Sequence, residues 1–463
     1  MIGCRLSPNA QKLKKMGTHI KKVSEIPGPK SALILARRMA ALPAGLGKST
    51  EVVVEKAEGA LVWDVDGNQL IDFAGGIGMV NLGHRPEGVV NAIKDQMDKY
   101  IHTGALVTTF EPYIEFAEML NSLTPGDFPK KTLLACSGSE AVENAISTAK
   151  YFTKRPAIIC FEGAYHGRTM LTLSLTSKYG LFKRGFGNFA PDIYRFHSPN
   201  VYRKPDSMTV EEYIDFCIER FDQNLISHVD PSAVAAIIIE PVQGEGGFIP
   251  VPKRFLEKIR QVCDQHGIVF IADEVQAGAG RTGKFLSIEH SGVIPDIVTM
   301  AKSIGSGMPI SATTGRAEIM DAPHLGGVGG TYSGSPLAVV AAHETVKQIN
   351  TPEFLAKATH VGNIITSRLT AMSEKFSIIG DIRGLGAMLV VEFVKDRKTK
   401  EPDMDFAMAV IKKCVSNGLI LIRAGLYTNC IRFLPPIVIT DEQLNEGMDV
   451  IEQAIADVLV ERG

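Results

Sequence analysis

Three apolar runs within residues 233–302 decide the fold: AVAAIIIEPV (233–242), IVFIADEV (268–275) and PDIVTMAK (295–302). Each is short, rich in β-branched residues and continuous rather than alternating, as a parallel strand covered on both faces requires. Between the first two, residues 252–267 put Phe255, Leu256, Ile259, Val262 and Cys263 on one helical face. Strand–helix–strand at this spacing predicts an α/β fold, with a central, mainly parallel sheet wrapped by helices. On the N-terminal side, residues 60–73 (ALVWDVDGNQLIDF) read as a β-hairpin with Asp66-Gly67 as its turn. On the C-terminal side, long amphipathic stretches mix with short strands such as MLVVEFV and CIRFLPPIVI. The expected organisation is an N-terminal segment, 1–84, that joins in space a small C-terminal α+β domain, 346–463, beside a large domain, 85–345.

Composition narrows the function. The chain has 463 residues, 45% hydrophobic, enough for a large core and ordinary for a soluble enzyme. A net charge of −2 provides no basic field, so nucleic acid is not an expected partner. Seven cysteines, an odd number without a CxxC pair, fit reduced thiols better than a disulfide framework or a zinc site. No apolar run approaches the ~20 residues that span a bilayer, so no membrane association is expected. Residues 1–24 carry Arg5, Lys12, Lys14, Lys15, Lys21 and Lys22. An acid-poor basic start is what a transit peptide has, but this one is lysine-rich, and it reads as a solvated leader of a cytoplasmic protein.

In an open parallel sheet, ligands bind beyond the carboxyl ends of the strands. The three runs end there in charge, at Glu240, Asp273 and Lys302. One such residue is often only a cap or an ion-pair member, but an acid and a lysine at neighbouring strand ends say more. A lysine condenses with an aldehyde only as the neutral amine, a state that desolvation favours. Pyridoxal phosphate is an electron sink when its ring nitrogen is protonated, and a buried carboxylate facing that nitrogen keeps the proton there. Lys302 suits the Schiff base and Asp273 suits the nitrogen, while Gly305 and Gly307 permit close backbone approach. For the phosphate, KTLLACSGSEAVENAISTAK (131–150) runs from strand to helix through Ser137-Gly138-Ser139, with Glu140 in the first turn. Free amides at a helix start bind anions.

Gly278-Ala279-Gly280-Arg281-Thr282-Gly283-Lys284 imitates two nucleotide motifs. Phe285 stands where a P-loop needs Ser or Thr, and Glu289 and Asp296 do not fit the acid of a dinucleotide fold. The segment is expected instead to be an active-site loop. Asp273-Glu274 lacks a histidine or third carboxylate at ligand spacing, so no metal site is expected.

The chain resembles class III, fold-type I aminotransferases, and among them bacterial 4-aminobutyrate aminotransferases. The stretches that carry the likeness are EIPGPKSALILARR, PGDFPKKTLL, SGSEAVENA, GAYHGRT, EPVQGEGGF, ADEVQAGAGRTGKF, AKSIGSGMP, GRAEIMDAP, GGTYSGSP and IRFLPP, in that order from residue 25 onward. The resemblance implies that Gly138 and Ser139 bind the phosphate, joined by Thr331 from a partner subunit. It implies a homodimer, possibly pairing into a tetramer. Tyr165 and Val275 would flank the ring, with His166 nearby; Asp273 would face its nitrogen, Gln276 its hydroxyl, and Lys302 would be the catalytic amine. Arg168 would hold the carboxylate of an ω-amino acid and Arg432 the α-carboxylate of glutamate or 2-oxoglutarate. Bidentate pairing suits both arginines. Glu245 would pair with Arg432 when no α-carboxylate is present, and Glu240 and Ile77 would line the same pocket. Ser335, Ser306 and Ala279 depart from residues common in the family, which bears on substrate preference. The expected reaction is transfer of an amino group from 4-aminobutyrate to 2-oxoglutarate. A 2-epimerase of the same fold, a transaminase for another ω-amine such as 5-aminovalerate, and a nucleotide-binding protein are the alternatives.

Overall fold

The computed structural model describes residues 18–463. The start of the basic leader, with Cys4, Arg5, Lys12, Lys14 and Lys15, lies outside the described residues. At the centre is a seven-stranded sheet in the order Lys130–Ala135, Ser311–Arg316, Ile297–Met300, Val269–Asp273, Val234–Ile239, Ala157–Phe161, Ile193–Phe196. Ser311–Arg316 pairs antiparallel with both of its neighbours, and the other pairings are parallel. The three apolar runs supply adjacent strands: Ile271 faces Ile238 on one side and Ile297 on the other. Every residue of Val234–Ile239 and Val269–Asp273 is buried, as unbroken apolar sequence demands.

Helices cover both faces. Lys253–His266 buries Phe255, Leu256, Ile259, Val262 and Cys263, and Gly267 ends it in the left-handed conformation at φ 63°. Gly138–Thr153 buries Ala141, Val142, Ala145, Ile146 and Ala149 against the other side. Each large side chain removed from water contributes on the order of 1.5–3 kcal/mol, so the sheet and its helices form a stiff platform.

The two chain ends share a second core. Strands Val54–Glu58, Leu61–Asp64 and Gln69–Asp72 form a sheet completed by Leu419–Ile420, with Leu419 opposite Ile71. A further sheet holds Ile379–Leu385, Met388–Phe393, Cys430–Phe433 and Ile422–Ala424. Ile20, Ile71 and Phe73 pack in one cluster with Val391, Phe433 and Ile451. The hairpin turn is wider than the expected Asp66-Gly67 pair, because the Asp64 carboxylate accepts from the amides of Asp66 and Asn68 and stops the ladder early. Asp66 accepts instead from the amides of Lys30 and Ser31, and so caps the helix Pro29–Ala41.

Candidate active site

A cavity of about 340 Å³ opens at the carboxyl ends of the central strands. Gly138, Ser139, Tyr165, His166, Glu240, Asp273, Val275, Gln276 and Lys302 all line it, with Met79, Cys136 and Met308. The first nine come from five separate chain segments, each at or just past the end of a strand. The parallel topology makes that convergence, since all those ends lie on one edge.

Asp273, the last residue of its strand, is almost fully buried and held from three sides. Its Oδ1 accepts from the Val275 amide at 3.0 Å and from the Thr299 hydroxyl at 3.2 Å. Its Oδ2 accepts from His166 Nδ1 at 2.6 Å. His166 Nε2 and Gln276 Oε1 are buried with no partner. Orphaned polar atoms lining a cavity are costly unless something else satisfies them, so the site is built for a polar occupant.

Lys302 has positive φ, 47°, and follows Ala301 at the end of its strand. Burial lowers its pKa, while the carboxylates of Asp273, Glu245 and Glu240 oppose the fall. Burial, and after it the nearby Asp273, lifts Glu240 to about 7, although its carboxylate accepts from the amides of Tyr165 (2.9 Å) and Gly244 (3.0 Å). The helix Gly138–Thr153 points its first turn into the cavity; its cap, Ser137, accepts from the Glu140 amide. Gly138 has room for no side chain: a Cβ there would stand 2.8 Å from Val275 Cγ1.

Arg432 and Glu245 form an ion pair close to Lys302, and the Arg432 Nε is left without a partner. Burial alone would raise the Glu245 carboxyl, but Arg432, with Lys178 and Lys302, holds it below the usual range. Arg168 is exposed; its Nε donates to the Tyr165 hydroxyl at 3.2 Å and its guanidinium lies over the Phe182 ring at 4.9 Å.

Other candidates lie apart. Thr331 is exposed, touches none of this cavity, and its carbonyl pairs with His102 Nε2 at 2.8 Å. Ile77 is 46% exposed, in a run from Gly75 to Gly78 where all four residues have positive φ, and it borders a second, apolar cavity. The Gly278–Lys284 segment, expected as an active-site loop, does not line the cavity. Its Arg281 is fully buried and donates to the carbonyls of Ala387 (3.3 Å) and Pro435 (2.7 Å) and to Asn81 Oδ1. The loop therefore fastens the central sheet to the C-terminal strands. Glu274 turns away from Asp273 and accepts from Ser287 N, Ser287 Oγ and Ile288 N; burial raises it to about 7.

Two contributors escaped the sequence reading. Thr299 holds Asp273, and its signal was there: a hydroxyl inside a buried apolar strand needs a partner. Lys178, at φ 53°, is half-buried beside Glu245 and Arg432, and burial lowers its pKa. No periodicity or motif singles it out.

Residues 45–455 match the family Aminotransferase class-III. The chain is 45% identical to a 5-aminovalerate aminotransferase of Pseudomonas aeruginosa, over 92% of this chain and 98% of that one. It is 44% identical to a 4-aminobutyrate aminotransferase of Escherichia coli, over 91% and 97%. Among solved structures, an amine transaminase from an uncultivated Pseudomonas species in its PLP-bound form superposes with a TM-score of 0.83 at 27% identity, covering 90% of this chain and 98% of that one.

Proposed function

The chain belongs to the class-III aminotransferases and is a pyridoxal-phosphate-dependent enzyme, and from that premise we propose that it moves the amino group of an ω-amino acid to 2-oxoglutarate. The donor proposed first is 4-aminobutyrate, which gives succinic semialdehyde, with glutamate released in the second half-reaction. The observation that carries this reading is the Glu245–Arg432 pair beside Lys302. An ω-amino acid has no α-carboxylate, and a buried arginine left alone is costly. Glu245 serves as its partner until a dicarboxylate arrives and takes over. Arg168 holds the single carboxylate of the ω-amino acid, while Glu240 shapes the pocket; Ile77, on the separate apolar cavity, has no such place within one copy of the chain.

The residues present suit the cofactor. Two unpartnered buried atoms, His166 Nε2 and Gln276 Oε1, line a space walled by Tyr165 and Val275, with a carboxylate at Asp273 and a helix N-terminus at Gly138. When bound, pyridoxal phosphate supplies an aldehyde carbon that takes up amines and a ring that accepts the electron pair left by a departing proton. Asp273, fixed by Val275, Thr299 and His166, keeps a proton on the ring nitrogen. The amides of Gly138 and Ser139 bind the phosphate. Gln276, whose Oε1 is buried without a partner, would serve the ring hydroxyl. Lys302, whose neutral form burial favours, would hold the cofactor through its amine and, when free, would serve as the base that moves the donor's proton.

Thr331 stands away from its own cavity on an exposed segment with Leu325 and Tyr332. A second copy of the chain brings its own Thr331 to the phosphate, which makes the homodimer the working unit. Among the described residues no helix is long and apolar enough to cross a membrane, and the six cysteines among them are unpaired; the cytoplasm is the proposed setting. The test is a half-reaction screen following the loss of the protein's visible absorbance with 4-aminobutyrate, 5-aminovalerate and β-alanine in turn. A fast loss with ω-amines, reversed by 2-oxoglutarate, is expected. Bleaching by α-amino acids alone, or turnover that ignores 2-oxoglutarate as a 2-epimerase would, sinks the reading.

A further inference from the structure

Two arginines grip the turn that carries Glu245, beside a bond from Gly425 N to Glu245 O at 3.2 Å and one from Gly244 N to the Glu240 carboxylate at 3.0 Å. Gly244–Gly247 closes through its own hydrogen bond, Gly247 N to Gly244 O at 3.1 Å, and Glu245 reaches Arg432 from its second position. From the same sheet face, Arg383 Nε donates to the Gly247 carbonyl at 2.8 Å. Arg383, Val390 and Arg432 lie in one cross-strand row, and Asp381, Glu392 and Cys430 in the next. The second row fixes the guanidinium: Arg383 Nη1 donates to Asp381 Oδ2 at 2.8 Å and to Glu392 Oε2 at 2.6 Å. Glu392 is fixed in turn by Arg203 and by Asn429 at 3.2 Å. No side chain fits between: a Cβ on Gly247, whose φ is 116°, would stand 2.7 Å from Arg383 Nη2.

We propose that Arg383 is a positioning residue for acceptor specificity, a fixed anchor on the turn backbone that lets the Glu245 side chain leave Arg432 without the turn leaving the pocket. The inference rests on the reading above, in which a dicarboxylate displaces Glu245. With an ω-amino acid bound, the turn has both grips. With a dicarboxylate on Arg432, the grip through Glu245 is gone and Arg383 is the one arginine still on the turn, beside the neutral Gly425 N–Glu245 O bond and the Gly244 N–Glu240 bond. Loss of the Arg383 bond therefore weakens the dicarboxylate complex selectively. A bond from a charged donor to a carbonyl is strong enough to change binding about tenfold.

The test is Arg383→Lys in the cofactor-loaded enzyme, which keeps the positive charge beside Glu392 but not the fork that serves Gly247 and Asp381 together. The dissociation constants for 2-oxoglutarate and glutamate should rise about tenfold, with the ω-amine half-reaction within about twofold of the parent. In a Glu245→Gln background, where no carboxylate has to leave, that selectivity should disappear. Equal changes in both half-reactions, no change, or selectivity that persists in the Glu245→Gln background, each overturns the anchor. Should Arg383→Lys fail to fold, Arg383→Gln, which keeps a donor but not the fork, leaves the turn's backbone untouched and is read in the same way. Arg432→Gln separates the two ideas. If it leaves dicarboxylate binding intact, the underlying reading fails; if it weakens that binding while Arg383→Lys does not, only the anchor fails.

Discussion

Arg432 and Arg281 are both buried arginines in contact with the C-terminal strands, and their surroundings differ in kind. Both leave Nε without a partner, so the difference lies in what the terminal nitrogens meet: Arg432 meets a carboxylate on a turn. Arg281 meets only neutral oxygens, two carbonyls and the Asn81 amide, on three rigid segments. A carboxylate partner can be exchanged for another carboxylate, whereas a carbonyl in a packed segment cannot leave. The same contrast separates Asp273 from its chain neighbour Glu274: one borders a cavity with orphaned atoms around it, the other is tied to Ser287 and Ile288. Exchangeable polarity belongs to the cavity, and tied-off polarity to the seam behind it.

That contrast is broken if substitutions in the cavity unfold the protein, or if those in the seam spare it. The largest effect is expected from Lys302→Ala. Proton transfer by a positioned amine is worth about 10²–10⁴ in rate, so turnover should fall by at least that factor and the visible absorbance of the bound cofactor should vanish. Thermal melting of the cofactor-free protein should scarcely move. Arg281→Ala is the seam's counterpart. It leaves the Ala387 and Pro435 carbonyls unpaired in a dry interior, for a loss of about 3 kcal/mol in denaturant unfolding. The fraction that stays folded should keep its substrate preference.

Glu245→Gln sharpens the cavity side. With the displaceable charge gone, the ratio of kcat/KM for glutamate over 4-aminobutyrate should shift about tenfold toward glutamate, the scale of one lost buried charge pair. A pH effect follows from the same substitution. Glu245 is among the carboxylates that hold the Lys302 amine up against burial, so removing it lowers that amine further. The acid limb of the half-reaction rate, where protonated Lys302 is inactive, should move to lower pH. An acid limb that moves to higher pH, or stays still, would show that Glu245 does not reach Lys302 electrostatically.

How much of this was legible beforehand follows the same division. Asp273, Glu240 and Lys302 could be found because each ends an apolar run, so that local pattern and sheet topology carry the information together. Ser137-Gly138-Ser139 was readable as a helix start for the same reason. Arg383 was not, since IGDIRGL looks like an exposed edge strand until the turn at Gly247 and the Glu392 carboxylate arrive from distant segments. Arg281 misled in the opposite direction. Its glycine-rich neighbourhood suggests a ligand loop, but the glycines serve close packing: a Cβ at Gly280 would press on Ile349 and Phe354. Glycine spacing reports that something approaches closely, and leaves open whether it is a ligand or the rest of the chain.

The smallest expected effect tests the boundary between the two regions. Thr299 lies in the buried strand Ile297–Met300, yet its hydroxyl reaches Asp273 Oδ1 at 3.2 Å, so it is seam by position and cavity by contact. Thr299→Val keeps shape and volume close to constant and removes one long hydrogen bond, a loss of about 1 kcal/mol. If the bond mainly supports the strand, that loss appears in unfolding of the cofactor-free protein. If it mainly holds Asp273 toward the ring nitrogen, the cofactor-free protein is unchanged or slightly more stable, since a valine suits its apolar neighbours. The loss then appears as about fivefold weaker retention of pyridoxal phosphate on dialysis. The second outcome is expected, because Asp273 keeps the Val275 amide and His166 in any case and needs the third contact only to fix its direction.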